Sequence, residues 1–333
     1  MSKQNDSLEN IISDLDWKMQ KKEFFQNRMS TCRRKTKYTR LFYIAMVLVF
    51  VFGAAFIYNV YNTLVYIQDA RTAQANAAMM HHLFSDDLAN VFHANNIEGF
   101  GAGGPNPSIL SDSSAHAETE HDYIDDYEAN AASGGNLISP IIEARLITDN
   151  PDIVAYLHVP GTNISQVVVQ AADNNFYLYH DMFRQRNSSG AIFLDYANNA
   201  DFRDRNTIIY GHNMRLDTMF HNLRFYLEEE HFNKYRNIIL ITEDKRFIYE
   251  IFAVLVTQVD FEYIQVEFED DEAFLSLMER IKSRSIHQNH LSAPLNAQDN
   301  VLILSTCSNT RNDTRIAVAA RLAGVISLNT HSD

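Results

Sequence analysis

The sequence predicts a mainly β domain, a barrel or a sandwich, carried behind a single transmembrane helix. Three observations predict it. A charge-free apolar stretch runs from Leu41 to Gln68; seven short strand-like runs separated by turn residues crowd the chain after Pro160; and one amphipathic helix interrupts them late.

Residues 1–40 form a basic tail holding ten Lys/Arg against five Asp/Glu. Leu8, Ile11, Ile12, Leu15 and Met19 give it a weak amphipathic stripe, compatible with a helix or a solvated tail. Leu41–Tyr58 (LFYIAMVLVFVFGAAFIY) is almost wholly apolar. About twenty helical residues at 1.5 Å each cross a hydrocarbon core of roughly 30 Å, so residues 41–67 are predicted to span a membrane. Arg33, Arg34, Lys35, Lys37 and Arg40 place the N-terminus in the cytoplasm by the positive-inside bias, with Tyr58, Tyr61 and Tyr66 as an outer aromatic belt. A forty-residue region before the apolar core argues against a cleaved signal peptide.

Residues 68–138 are predicted to be a flexible, acidic, extracytoplasmic linker. Its first part, Ala70 to Phe92, is alanine-rich and compatible with a helix; His81, His82, Asp86, Asp87 and His93 cluster there without a repeated ligand spacing and are taken as a solvated helix face. From Glu98 to Gly135 the chain is Gly, Ser, Ala, Asn and acids, too poor in apolar groups to offset its ordering entropy. Asp125-Asp126-Tyr127 is read as solvated charge.

A folded domain is predicted over 139–333. Ile141 to Leu146 suits a short helix, and Asn150-Pro151-Asp152 reads as the cap and first turn of another through Tyr156. The strand-like runs are 164–169, 191–194, 207–210, 238–242, 246–257, 301–304 and 316–322. Between the fifth and sixth, Phe274, Leu277, Met278 and Ile281 follow helical spacing behind a cap at Asp270 or Asp271.

The formal charge is −14, from 28 Lys/Arg and 42 Asp/Glu, and beyond residue 40 the balance is 18 basic to 37 acidic. So acidic a body argues against a nucleic-acid partner, which needs clustered Lys/Arg. Two cysteines, Cys32 and Cys307, fall on opposite sides of the predicted membrane and cannot pair. An unpaired thiol outside the cytoplasm points to reactivity, with a small buried hydrophobe as the bland alternative. The run Val301–Leu304 delivers Cys307 to a strand end; Asn309, Asn312 and Asp313 mark a turn, and Arg315 opens the next alternating run. Adjacent strands then bring thiol and guanidinium near each other, and a neighbouring cation favours thiolate. Arginine takes no proton at working pH, so a base must come from elsewhere. Among the eight histidines beyond residue 139, His212 has the most suggestive context, at a strand end directly after Gly211; His158, His180, His221, His231, His287 and His290 read as surface or core histidines.

The combination 207-TIIYGHNM-214, 304-LSTC-307 and Arg315, with 149-DNPDIVAYLHVPGT-162 upstream, resembles the sortases, membrane-anchored cysteine transpeptidases of Gram-positive bacteria. Ser305 before Thr306-Cys307, the segments 173-DNNFYLYH-180 and 190-GAIFLD-195, and the inserted helix resemble class B. The resemblance covers about residues 140–323 and implies a closed barrel of about eight strands with short N-terminal helices and one inserted helix.

It also implies that Cys307 is the nucleophile, His212 the general acid/base and Arg315 the stabiliser of the oxyanion. Asn174 or Asn175, Tyr210, Ser305 and Thr306 would bind substrate. The implied partners are surface proteins bearing a sorting signal and an amine acceptor, either a peptidoglycan precursor or a pilin lysine; no metal or cofactor is expected. About ten residues follow the last run without a second membrane segment, as in an N-terminally anchored sortase. The alternatives are a hydrolytic thiol peptidase and a non-catalytic membrane-tethered scaffold.

Overall fold

A computed structural model describes residues 2–95, 139–214, 216–258, 263–287, 294–307 and 314–327. The expected linker from Glu98 to Gly135 and His290 lie outside these residues. The chain divides into two compact units, Met1–Val65 and Tyr66–Asp333.

Helix α1 (Ser2–Leu83) makes up the first unit and continues into the second. Its stretch Leu41–Leu83 is long and apolar enough to cross a membrane, with a mean hydropathy of 2.5 in the most apolar 18-residue window, none of which is buried.

The second unit is a closed barrel. Its strands are β1 (Ile153–His158), β2 (Ser165–Val169), β3 (Ile192–Leu194), β4 (Asn206–Met214), β5 (Thr218–Met219), β6 (Asn237–Ile241), β7 (Lys245–Gln258), β8 (Val301–Cys307) and β9 (Thr314–Ser327). The order β3-β2-β1-β6-β7-β9-β8-β4 is closed by pairing of β3 with β4, giving eight strands in the ring, and the short β5 extends from β4. Closure leaves none of the eight with an unpaired edge. Two pairings, β2 with β3 and β4 with β8, are parallel, so the barrel is mixed. Both faces of β8 are buried: Val301 and Ile303 belong to one apolar cluster, Leu302 and Leu304 to another. Burial on both faces is why this strand reads as a continuous apolar run and not an alternating one.

Helix α3 (Pro140–Thr148) leads into β1, α4 (Glu229–Lys234) precedes β6, and α5 (Asp271–Ser283) is inserted between β7 and β8. Phe274, Leu277, Met278 and Ile281 of α5 are buried, and the Asp270 carboxylate caps it by accepting the Ala273 N–H at 2.8 Å.

Two segments differ from expectation. Residues 153–156, read as the start of a helix, are strand β1. Asn150 does terminate a turn, but its Oδ1 accepts the Asp152 N–H and closes an Asx-turn that launches a strand. The β-branched and aromatic Ile153, Val154 and Tyr156 then suit the pleated position between β2 and β6.

Residues 68–95, assigned to the linker, instead pack on the barrel. Ala70, Ala73, Ala77 and Met80 of α1, then Phe84, and Leu88, Val91 and Phe92 of α2 (Ser85–Asn95), are buried along one helical face. The three alanines let the helix come close, and the larger groups fill the space beyond them. Phe84 stacks on Tyr156 with ring centroids 4.1 Å apart. The polar cluster divides: His82 and Asp86 are exposed as expected, whereas Asp87 pairs with the buried Arg246 and His81 Nδ1 lies 3.2 Å from the Tyr156 hydroxyl.

His158, on β1, is fully enclosed at this contact. Its Nδ1 meets the Ser165 hydroxyl, its ring faces His81 and Phe92, and its Nε2 has no hydrogen-bond partner among the described residues. Burial first, and the neighbouring His81 second, push its pKa down to about 3. Because the folded value lies below the ordinary value of about 6.5, the unfolded chain binds a proton that the folded chain refuses. Stability is then complete above about pH 6.5 and falls, for this group, by about 1.4 kcal/mol per pH unit toward pH 3. Urea unfolding at pH 7, 6, 5 and 4 should show that slope, and His158→Gln should flatten it. Parallel slopes for the two proteins would refute the assignment.

Candidate active site

Three neighbouring strands end together and carry the three predicted catalytic residues. The parallel ladder of β4 and β8 runs from Asn206 opposite Val301 to His212 opposite Cys307, the last pair in the register. On the other side of β8 the antiparallel ladder ends with Ser305 opposite Ala317, so Cys307 and Arg315 each lie two residues beyond that last pair, on adjacent strands. Arg315 is held on its far side by pairing with Thr257 of β7. The backbone therefore brings His212, Cys307 and Arg315 into one row across the barrel rim.

His212 is buried, and its Nε2–H donates to the Leu178 carbonyl at 2.8 Å. That donor role leaves Nδ1 as the ring nitrogen with a lone pair. Burial lowers its pKa, opposed by the weaker pull of the Leu178 carbonyl, so the imidazole is neutral at neutral pH. Leu178 closes a short 3₁₀ turn at Phe176–Leu178, which meets the base through a backbone carbonyl. The approach to His212 depends on Gly211, where a Cβ would meet the Phe220 ring at 2.8 Å.

Arg315 is half-buried, its Nε is buried without a hydrogen-bond partner, and it joins no ion pair among the described residues. A buried N–H left unpaired costs about 1–3 kcal/mol, which marks the guanidinium as a group held ready for an acceptor.

The expected substrate-binding residues divide. Tyr210 and Asn174 share one acceptor, Asp195, and Ser305 pairs separately with Tyr263. The Tyr210 hydroxyl donates to Asp195 Oδ2 at 2.9 Å, Asn174 Nδ2 donates to the same oxygen at 3.0 Å, and the Ser305 hydroxyl meets the Tyr263 hydroxyl at 2.7 Å. Tyr210 and Ser305 face each other in the β4–β8 register, two positions before His212 and Cys307. Burial and the Asp195 carboxylate raise the Tyr210 pKa, so the phenol stays protonated. Thr306 has a ladder role: its Oγ1 accepts the Ile316 N–H at 2.9 Å and fastens β8 to β9 beside Arg315. Asn175 sits apart, exposed at the start of the 3₁₀ turn, and its side chain makes none of the described hydrogen bonds.

Asp195, Tyr263 and the Leu178 carbonyl were not singled out from sequence. An acid ending the apolar run 190–194 was the available signal for Asp195. Tyr263 lies in a stretch without periodicity, and a carbonyl leaves no trace in residue type.

A closed mixed barrel whose rim gathers a cysteine, a histidine and an arginine from three adjacent strands defines a narrow class of protein. A family model described as the Sortase domain matches residues 157–323, and the chain belongs to that family. Its relatives make it class B-like. Sortase B of Listeria monocytogenes is 35% identical over 158 residues, which are 47% of this chain and 63% of that relative, so the chain spans less than two thirds of its length. Among solved structures, Clostridium perfringens sortase B is 35% identical with a TM-score of 0.52 over 55% of this chain and 99% of the other. A Staphylococcus aureus sortase B–substrate complex is 25% identical with a TM-score of 0.53 over 62% and 92%.

Proposed function

We propose that this protein is a membrane-anchored cysteine transpeptidase, its catalytic barrel outside the cytoplasm, that joins surface proteins bearing a sorting signal to an amine of the cell wall. The placement of His212, Cys307 and Arg315 in one row is the observation that carries the reading.

His212, neutral at rest, takes the thiol proton of Cys307; the resulting thiolate attacks a backbone carbonyl of the sorting peptide, and Arg315 donates to the oxygen as negative charge develops on it. The C–N bond then breaks, His212 delivers its proton to the leaving amine, and a thioester remains on Cys307. In the second half, an acceptor amine attacks the thioester and gives its proton to His212. The C–S bond breaks and the thiolate is restored. The acceptor is a peptidoglycan-precursor amine or a pilin lysine.

Incubating the full chain in detergent with a positional-scanning library of fluorogenic hexapeptides, with and without triglycine, tests this. A triglycine amide product and a mass-detected acyl adduct on Cys307 are expected. Acid product alone, unchanged by triglycine, would assign a hydrolytic peptidase instead. No cleavage together with a Cys307 inert to iodoacetamide would leave a tethered scaffold.

A further inference from the structure

We propose that Asp195, at the end of β3, is a positioning residue that sets the donor and acceptor pattern of the substrate groove. This rests on the transpeptidase reading above. The carboxylate is 6% exposed and makes no ion pair among the described residues, yet both its oxygens are in use. Oδ2 accepts from the Tyr210 hydroxyl at 2.9 Å and from Asn174 Nδ2 at 3.0 Å, and Oδ1 accepts the Ala197 N–H at 2.9 Å. All three partners donate. A carboxylate offers lone pairs on both oxygens, whereas an amide in its place would turn an N–H against one of the donors.

Consequences reach the site along two arms. The Tyr210 hydroxyl spends its proton on Asp195 and therefore turns lone pairs toward its other neighbours. Asn174 is fixed from both ends: its Oδ1 accepts the Tyr196 N–H at 3.0 Å, so the amide cannot flip, and one N–H goes to Asp195. Its second N–H has no partner among the described residues and sits on a half-buried side chain. Asp195 thereby makes Asn174 an obligatory donor, suited to a carbonyl or amide oxygen of the bound peptide, without touching that peptide itself.

The test uses the hexapeptide that the wild-type chain cleaves fastest. Asp195→Asn should raise its KM about tenfold, the weight of one well-placed hydrogen bond, with kcat within about threefold. The rate of Cys307 alkylation by iodoacetamide should not change, which separates lost positioning from a damaged fold. Tyr210→Phe, which leaves Asn174 held, should raise KM less. If Asp195→Asn does not unfold cooperatively, Asn174→Ala decides: a raised KM with kcat kept supports the proposal, and an unchanged KM overturns it. A folded Asp195→Asn with wild-type KM also overturns it. A wild-type chain that cleaves no library member removes the transpeptidase reading, and this inference with it.

Discussion

Cys307→Ala is expected to abolish the acyl-enzyme and to lower turnover by at least about 10³-fold, because no other group in the row can form the thioester. The substitution removes one sulfur from the last position of β8, whose ladder bonds to β4 are made by backbone. The thermal transition should therefore stay close to wild type. Intact-mass spectrometry after mixing with peptide reads the adduct, and circular dichroism reads the fold. Persisting turnover with an intact fold would remove Cys307 from the mechanism and reassign it as strand-end packing.

Arg315→Lys carries the second large effect, an expected loss of about 10²-fold in kcat, comparable with removing a single oxyanion donor. Lysine keeps the charge but not the planar fork, and its point-like ammonium cannot reproduce both the direction and the number of guanidinium donors. The unpartnered Nε makes this specific: the loss should appear in kcat, since the donor is used when negative charge has formed. Peptide KM should move less than kcat. A variant with wild-type kcat would leave Arg315 without a part in the transition state.

Most of the barrel was legible because its strands advertise themselves. Val301–Leu304 and Ile238–Thr242 are apolar on both faces, and turn residues bracket them. The inserted helix was equally plain, since Asp270 caps an i, i+3, i+4, i+7 stripe. Strand β1 was not, because Asn-Pro-Asp begins helices and strands alike and only the neighbours β2 and β6 decide between them. The stripe of Ala70, Ala73 and Ala77 was missed for a related reason. Alanine signals helix by propensity, but its low hydrophobicity hides a buried face until the surface it meets is known. At the site, the three residues that resembled a known family stood out by motif. Asp195 and the Leu178 carbonyl act through tertiary contacts that no local pattern encodes.

The parallel pairing of β4 with β8 has a kinetic corollary. It joins positions 212 and 307 across helix α4, the β6–β7 hairpin and helix α5, so the loop-closure entropy for that ladder falls due before any of its bonds can form. A partly folded chain consequently holds residues 212 and 307 far apart. The two positions meet only when the ring closes.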